Sequence, residues 1–138
     1  MRLLSFIFSL VVLWACVSEK KSNKESESSV PERAELSKDS KIFLGNRLFS
    51  EKTCVTCHAV SKYKKAPSVK KIMRVYKENN GNIVAFLKGE TKPMVDTTAS
   101  QIAIMQDNIN GFVKGLSDTE LDAISYYMMH VDESNLDY

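Results

Sequence analysis

Two cysteines and a histidine stand within one short run of the chain, Cys54-Val55-Thr56-Cys57-His58. Two thiols three positions apart can add across the two vinyl groups of one porphyrin, and the histidine after the second thiol can then donate a ring nitrogen to the iron. The spacing therefore predicts one covalently attached haem, bound through Cys54 and Cys57, with His58 as an axial iron ligand.

A Cys-x-x-Cys pair also occurs in thioredoxin-like redox sites and in structural zinc sites. A thioredoxin-like site needs a strand-helix-strand neighbourhood, whereas the flanks of this motif predict helix and loop. A zinc site needs a fourth ligand, for which Cys16 and the distant His130 are the candidates. Both alternatives fit the sequence less well than haem attachment does.

Residues 1–15 have the features of a bacterial export signal peptide. A positive residue at position 2 precedes an apolar run that is too short to span a bilayer comfortably. The run ends in Leu13-Trp14-Ala15-Cys16, which resembles the lipobox of bacterial lipoproteins although Trp14 departs from that pattern. We therefore expect Cys16 to be lipidated and to anchor the protein to a membrane. The alternative is an ordinary signal peptide with an incidental cysteine.

Residues 16–36 predict a flexible tether after the anchor. They consist largely of Ser, Glu, Lys and Asn, and they have too few apolar side chains to offset the cost of ordering by burial. One small domain, residues 37–131, follows, and residues 132–138 form an acidic tail. Because a domain of this size buries its surface inefficiently, a covalently held and largely apolar macrocycle would supply part of its core.

The domain is expected to be all-α, because its apolar residues recur at helical spacing. The apolar residues that predict the first helix, over residues 37–50, are Ile42, Phe43, Leu48 and Phe49. Gly45 lies in the same helix and weakens it by up to about 1 kcal/mol relative to alanine. A close approach of another helix is therefore the expected purpose of this glycine.

Three further helices are predicted after the attachment motif. Pro67 suits the first turn of a helix whose apolar stripe ends at Tyr76. A short helix follows, with Asn82 as its cap and Gly89 as its terminator. The last helix begins at a capping box opened by Ser117.

A Gly-x-x-x-Phe helix that leads into Cys-x-x-Cys-His resembles the N-terminal pattern of the class I cytochromes c. The resemblance covers about residues 37–131 and implies a small all-α fold wrapped around one haem, in which the N- and C-terminal helices cross at Gly45. It also implies that the Pro67 carbonyl accepts a hydrogen bond from the outer ring nitrogen of His58 and so fixes the imidazole's tautomer and orientation. The family usually has glycine where this chain has Ala66.

A methionine is the expected second axial ligand, because a thioether stabilises ferrous iron and raises the reduction potential. Met105 stands before the last helix, where the ligand methionine of the family normally lies, and it is the favoured candidate. Met94 follows Pro93, as in the Pro-Met ligand loop of many small bacterial members, and is the alternative. Met73, Met128 and Met129 are expected to fill the core. His130, near the end of the last helix, is expected to be solvated.

Charge is distributed unevenly along the chain, although the formal net charge is only +2. Residues 59–77 contain seven Lys and Arg residues and no acid, whereas the chain from Asp118 onward contains six acids and no Lys or Arg. The basic segment would suit docking of an acidic redox partner, such as a terminal oxidase or a quinol-oxidising complex, and a solvated helix face would explain it equally well. The small net charge of an exported chain argues against nucleic acid as a partner.

Together these features predict a monomeric one-electron carrier, not an enzyme, on the exported, periplasmic side of a bacterial membrane. With His58 and a methionine on the iron, no coordination position would be left for substrate chemistry. If the methionine is absent or labile, the open sixth position would instead suit a gas sensor or a peroxidase-like protein. A fixed haem subunit of a larger respiratory complex is a further alternative.

Overall fold

The computed structural model of the chain describes residues 35–132, and within this range the backbone is helical and forms no β-strand. Its α-helices are α1 (Lys38–Glu51), α2 (Val69–Glu78), α3 (Ile83–Leu87), α4 (Ala99–Asn108) and α5 (Asp118–Met129). A 3-10 turn at Cys54–Thr56 follows α1, and a π-helical turn at Ile109–Val113 follows α4. The predicted all-α fold is confirmed.

Several of the predicted features lie outside the described residues. They are the signal peptide over residues 1–15, the lipidation site Cys16, most of the tether over residues 16–36, and residues 133–138 of the acidic tail. None of the described helices is long and apolar enough to cross a membrane.

Side chains close the N-terminal ends of the predicted helices. The hydroxyl of Ser37 accepts a hydrogen bond from the backbone of Ser40 at the start of α1, and Asn82 caps α3 in the same manner. The predicted capping box at α5 is complete, because Ser117 and Glu120 each accept a hydrogen bond from the other's backbone N–H.

The start of α2 differs from the prediction. Its cap is Ser68, whose hydroxyl accepts a hydrogen bond from the backbone N–H of Lys71. Pro67 therefore lies just before the cap, not in the first turn. This position leaves the Pro67 carbonyl outside the helix, where it can accept a hydrogen bond from another part of the chain.

Helices α1 and α5 pack directly on each other at a glycine. A methyl group on Gly45 would overlap the backbone carbonyl of Ala123 and would lie 2.6 Å from Cβ of Tyr127. The rings of Phe49 and Tyr127 then meet at the same crossing, with centroids 5.6 Å apart. A salt bridge from Lys41 to Asp122, 3.2 Å long, joins the two helices further along. The purpose expected for Gly45 is confirmed.

Three side chains are placed differently from the sequence-based expectation. Phe43, expected on the apolar face of α1, is 72% exposed. The face of α1 that packs on α5 is the one that contains Gly45, and Phe43 does not lie on it. Met129, expected in the core, is 53% exposed at the end of α5, whereas the neighbouring Met128 is buried. His130, expected to be solvated, is half-buried: it stacks on Tyr126 and bonds that residue's carbonyl through Nδ1.

Candidate cofactor site

The attachment motif folds into a tight turn directly after α1. Thr53 adopts a left-handed conformation, with φ of 62°, which is unusual for a residue other than glycine. The carbonyl of Cys54 then accepts hydrogen bonds from the backbone N–H groups of Cys57 and His58, at 3.1 and 2.9 Å. These hydrogen bonds hold both cysteines and the histidine close together in a single turn of the backbone, as haem attachment through this motif requires.

Both cysteines are free thiols and half-buried, and both line the same cavity. Burial raises the pKa of the Cys54 thiol to about 11, so this group is a neutral thiol near pH 7. A neutral thiol at Cys54, which faces the apolar cavity, can be brought against an apolar reaction partner without the cost of burying a charge.

The His58 imidazole is held by the residue that the family resemblance implies. Nδ1 of His58 lies 2.7 Å from the carbonyl oxygen of Pro67. A carbonyl oxygen can only accept, so Nδ1 carries the proton and donates, and Nε2 keeps its lone pair. Burial lowers the pKa of His58 even though the bond to Pro67 acts in the opposite direction. The imidazole is therefore neutral and oriented, as an iron ligand must be.

The chain between the motif and α2 folds back on itself to bring Pro67 beside His58. The carbonyl of Cys57 accepts a hydrogen bond from the backbone N–H of Ala66, and the carbonyl of Ala59 accepts one from Val69. Ala66 stands where the family usually has glycine, but its φ is not positive, so alanine fits this turn without strain.

A cavity of about 280 Å³ lies beside the attachment turn, and apolar side chains form most of its wall. Its lining includes the two cysteines, the histidine and Pro67 from the motif region. All five α-helices also contribute side chains to the lining, α1 only from its C-terminal half. Representative lining residues are Phe49, Ile72, Tyr76, Ile83, Phe86, Leu87, Met94, Met105, Asn108, Ile124 and Met128.

Both candidate methionine ligands line this cavity. Met94 lies between α3 and α4, and its sulfur packs closely on Gly81, where a methyl group would lie 2.9 Å from that sulfur. Met105 lies in the middle of α4 and shares its cavity-facing side with Gln101 and Asn108, one turn away in either direction. The structure brings both thioethers to the site, and Met105 stays a prediction.

The cavity also contains polar side chains, two of which the sequence pattern did not identify. Tyr76, a member of the apolar stripe expected to pack on the haem, lines the cavity. Gln101 and Asn108 line it as well, on a helix that was not predicted.

The donor set fits a covalently held haem. It combines two thiols at the attachment spacing, one neutral imidazole with a free Nε2 and two thioethers, all around a largely apolar cavity. A structural zinc site fits less well, because no three His, Cys, Asp or Glu side chains between residues 35 and 132 come together as a metal site. The helical flanks likewise do not supply the strands of a thioredoxin-like site.

Comparison with known proteins agrees with this geometry. The family model described as Cytochrome c matches residues 43–132, which is more than half of the chain and includes every residue of the attachment motif, Pro67 and both candidate methionines. No curated protein matches the chain.

Proposed function

Because the chain belongs to the cytochrome c family, whose members carry covalent haem c and generally transfer electrons, we propose that it is a single-haem carrier that shuttles one electron between respiratory partners. The observation that carries this proposal is the cavity in which Cys54, Cys57, His58 and the candidate methionines meet. The iron supplies the one-electron chemistry, and the residues around the cavity hold it, fill its axial positions and keep water away.

Covalent attachment uses the two thiols of the turn. Cys54 and Cys57 would hold the haem through thioether bonds, each formed by adding an S–H across a vinyl C=C, which would need no net oxidant or reductant. Backbone hydrogen bonds to the Cys54 carbonyl hold Cys57 and His58 in one turn, and all three residues line the cavity, so the same short segment would supply both attachment and axial ligation.

We assign the axial positions to Nε2 of His58 and the sulfur of Met105. Met94 has a packing role that accounts for its position, because its sulfur fits against Gly81. Met105 lies on the cavity-facing side of α4, with Gln101 and Asn108 one turn away in either direction, and it stands before the last helix, where the ligand methionine of the family normally lies. Two strong protein ligands leave no open position for substrate, which is the arrangement that an electron carrier needs.

The partner surface that we propose is the loop between the attachment turn and α2. Lys62, Lys64 and Lys65 are exposed there, and the Lys64 ammonium donates to the Val55 carbonyl in the attachment turn, 3.3 Å away. The basic residues of α2 occupy the solvated face of an amphipathic helix. Lys70 forms a 2.6 Å salt bridge with Asp132, so the basic segment and the acidic end of the domain partly neutralise each other.

Oxidation of the ferrous protein by membranes of the source cells tests this function. We expect fast second-order electron transfer that slows with added salt, because attraction between opposite charges is screened over about 8 Å at physiological ionic strength. The double variant Lys62→Glu with Lys64→Glu should react more slowly and with a flatter salt dependence, while its haem spectrum stays the same.

The matched control is Lys38→Glu with Lys114→Glu, which makes the same change in net charge at two exposed positions away from the loop. If both double variants slowed electron transfer equally, the effect would depend on the net charge of the protein and not on the loop. A ferrous protein that no membrane fraction oxidises would contradict the carrier function itself.

We further propose that the carrier is tethered on the exported side of a membrane through a lipidated Cys16. The support is the sequence alone: an export signal, a lipobox-like run and a polar tether. Cells grown with a labelled fatty acid should label the wild-type protein but not Cys16→Ser, which should appear in the soluble fraction. An unlabelled, soluble wild-type protein would leave an ordinary signal peptide as the explanation.

A further inference from the structure

Tyr63 is an aromatic residue that the domain leaves in solvent. It is 62% exposed and does not line the cavity, so a cofactor in the cavity would not cover it. Exposed apolar side chains scattered singly are ordinary, whereas an apolar group rimmed by polar residues beside a functional site marks an interaction surface. The surroundings of Tyr63 therefore decide whether its ring has a role.

The backbone at Tyr63 is joined to the attachment segment. An isolated β-bridge pairs Tyr63 with His58. Lys65, two residues later, lines the cavity, and its backbone N–H donates to the Cys57 carbonyl at 3.3 Å. The ring is held as well, because its hydroxyl donates to the Lys65 carbonyl, 3.3 Å away. Tyr63 is therefore an exposed ring fixed in place close to the cofactor cavity.

The cations beside Tyr63 have no acidic partner in the described part of the chain. Lys62, Lys64 and Lys65 are exposed, and none of them forms a salt bridge with a residue between 35 and 132. Lys88, by contrast, holds a carboxylate of α5, 2.7 Å away. The positive charge around Tyr63 is therefore left for carboxylates of another molecule.

An aromatic ring within a rim of cations has the composition of a binding hot spot. In protein interfaces a few central side chains, often Tyr, Trp or Arg, carry most of the binding energy, and a polar rim surrounds them. We propose that Tyr63 is the docking anchor for the carrier's redox partner: its ring enters a shallow apolar pocket, and carboxylates around that pocket meet Lys62 and Lys64. This inference rests on the proposed function and deepens it by stating the chemistry of the partner's docking site.

The ring and the lysines would act on different steps of the encounter. Attraction between opposite charges speeds association and is screened by salt, whereas a buried aromatic contact holds the complex after it has formed and is not screened. Because Tyr63 is bridged to His58 and adjoins the cavity through Lys65, a partner seated on it would lie beside the cofactor. The anchor would therefore set the lifetime of the productive complex.

The test follows oxidation of the ferrous holoprotein by membranes of the source cells, at increasing protein concentration and at low and high salt. We expect Tyr63→Ala to raise the half-saturating concentration about tenfold at both salt concentrations, because truncation of a hot-spot side chain costs this much affinity. Tyr63→Phe, which keeps the ring, should stay within about twofold of the wild type. The absorption spectrum and reduction potential of both variants should match the wild type, since His58 is undisturbed.

Phe43→Ala is the matched control. Phe43 is more exposed still, at 72%, but it lies in the first half of α1, which contributes no side chain to the cavity. If the wild type is oxidised and both alanine variants reach half-saturation at its concentration, the anchor is overturned and the carrier function stands. Membranes that do not oxidise the wild type at all would contradict both.

A negatively charged lipid surface also suits an aromatic ring flanked by lysines. Vesicles of phosphatidylglycerol distinguish lipid from a protein partner. We expect Tyr63→Ala to bind these vesicles as the wild type does. If instead Tyr63→Ala lost vesicle binding by the same factor as it lost affinity for the membranes, lipid would account for the contact and the assignment to a protein partner would be overturned.

Discussion

The hydrogen bond from His58 to Pro67 explains how one residue can serve as a dependable iron ligand. The bond selects the tautomer with a free Nε2, and burial keeps the ring neutral. Both effects depend on the loop between His58 and Pro67. Backbone hydrogen bonds hold this loop, and it needs no glycine in place of Ala66. The orientation of the ring is therefore set by hydrogen bonds within the chain itself.

Our prediction at this scale separates the two methionines. Met105→Ala should give a ferric haem that is high-spin or binds an added ligand, and it should lower the reduction potential, because the soft sulfur that favours ferrous iron is lost. Met94→Ala should retain the wild-type spectrum and lose stability through the space left beside Gly81. Absorption spectroscopy and a redox titration measure both properties.

The opposite pattern would transfer the ligand role to Met94. If neither substitution changed the spectrum or the potential, no methionine would be on the iron, and the gas-binding alternative would gain support.

The residues of the cofactor site differ in how well their roles could be predicted from the sequence. Cys54, Cys57 and His58 were predictable because their chemistry depends on local spacing alone. The choice between Met94 and Met105 was not, because it depends on which of two segments approaches the iron. The cavity-lining positions of Gln101 and Asn108 were missed because they lie on α4, whose apolar residues form no single stripe.

Among the helices, the crossing of α1 and α5 holds the first and last parts of the domain together. The two backbones approach so closely that only glycine fits at position 45. The attachment turn begins directly after α1, and α5 contributes Ile124 and Met128 to the cavity wall. The crossing therefore fixes the distance between two sides of the haem site.

We expect Gly45→Ala to lower the free energy of unfolding of the holoprotein by about 3 kcal/mol, because its methyl group overlaps the Ala123 backbone and the helices must separate. Urea unfolding followed by circular dichroism measures this change. Gly111→Ala is the matched control: it lies in the π-helical turn, and a methyl group there meets nothing within 4 Å. Equal stability of the two variants would show that the helices can move apart at no cost.

The helix α4 was the element that sequence patterns failed to predict. Apolar side chains at Ile102 and Ile104 do not form one stripe, and both are exposed by a third or more. None of the α4 residues is buried, and the helix passes into a π-helical turn, in which the N–H of Lys114 donates to the Ile109 carbonyl. The cavity, rather than a packed core, lies against its inner face, so the usual amphipathic signal is weak.

For the molecule as a whole, the cavity replaces part of the hydrophobic core. Between residues 35 and 132 the buried apolar residues form a cluster that runs from Leu48 in α1 to Val131 after α5, and several of its members line the cavity. The all-α class and the order of four helices followed from periodicity and caps, since these are local signals. The position and size of the cavity did not, because they arise from how the helices pack.

We propose that the iron in this cavity has protein ligands on both sides and carries one electron. The most direct measurement is a redox titration of the purified wild-type protein, followed by exposure of its ferrous form to carbon monoxide. We predict a single reversible one-electron couple and a ferrous absorption spectrum that carbon monoxide leaves unchanged, because in our proposal His58 and Met105 occupy both axial positions. Prompt formation of a carbon monoxide complex by the wild-type protein would contradict the claim and would indicate a gas-binding or peroxidase-like haem.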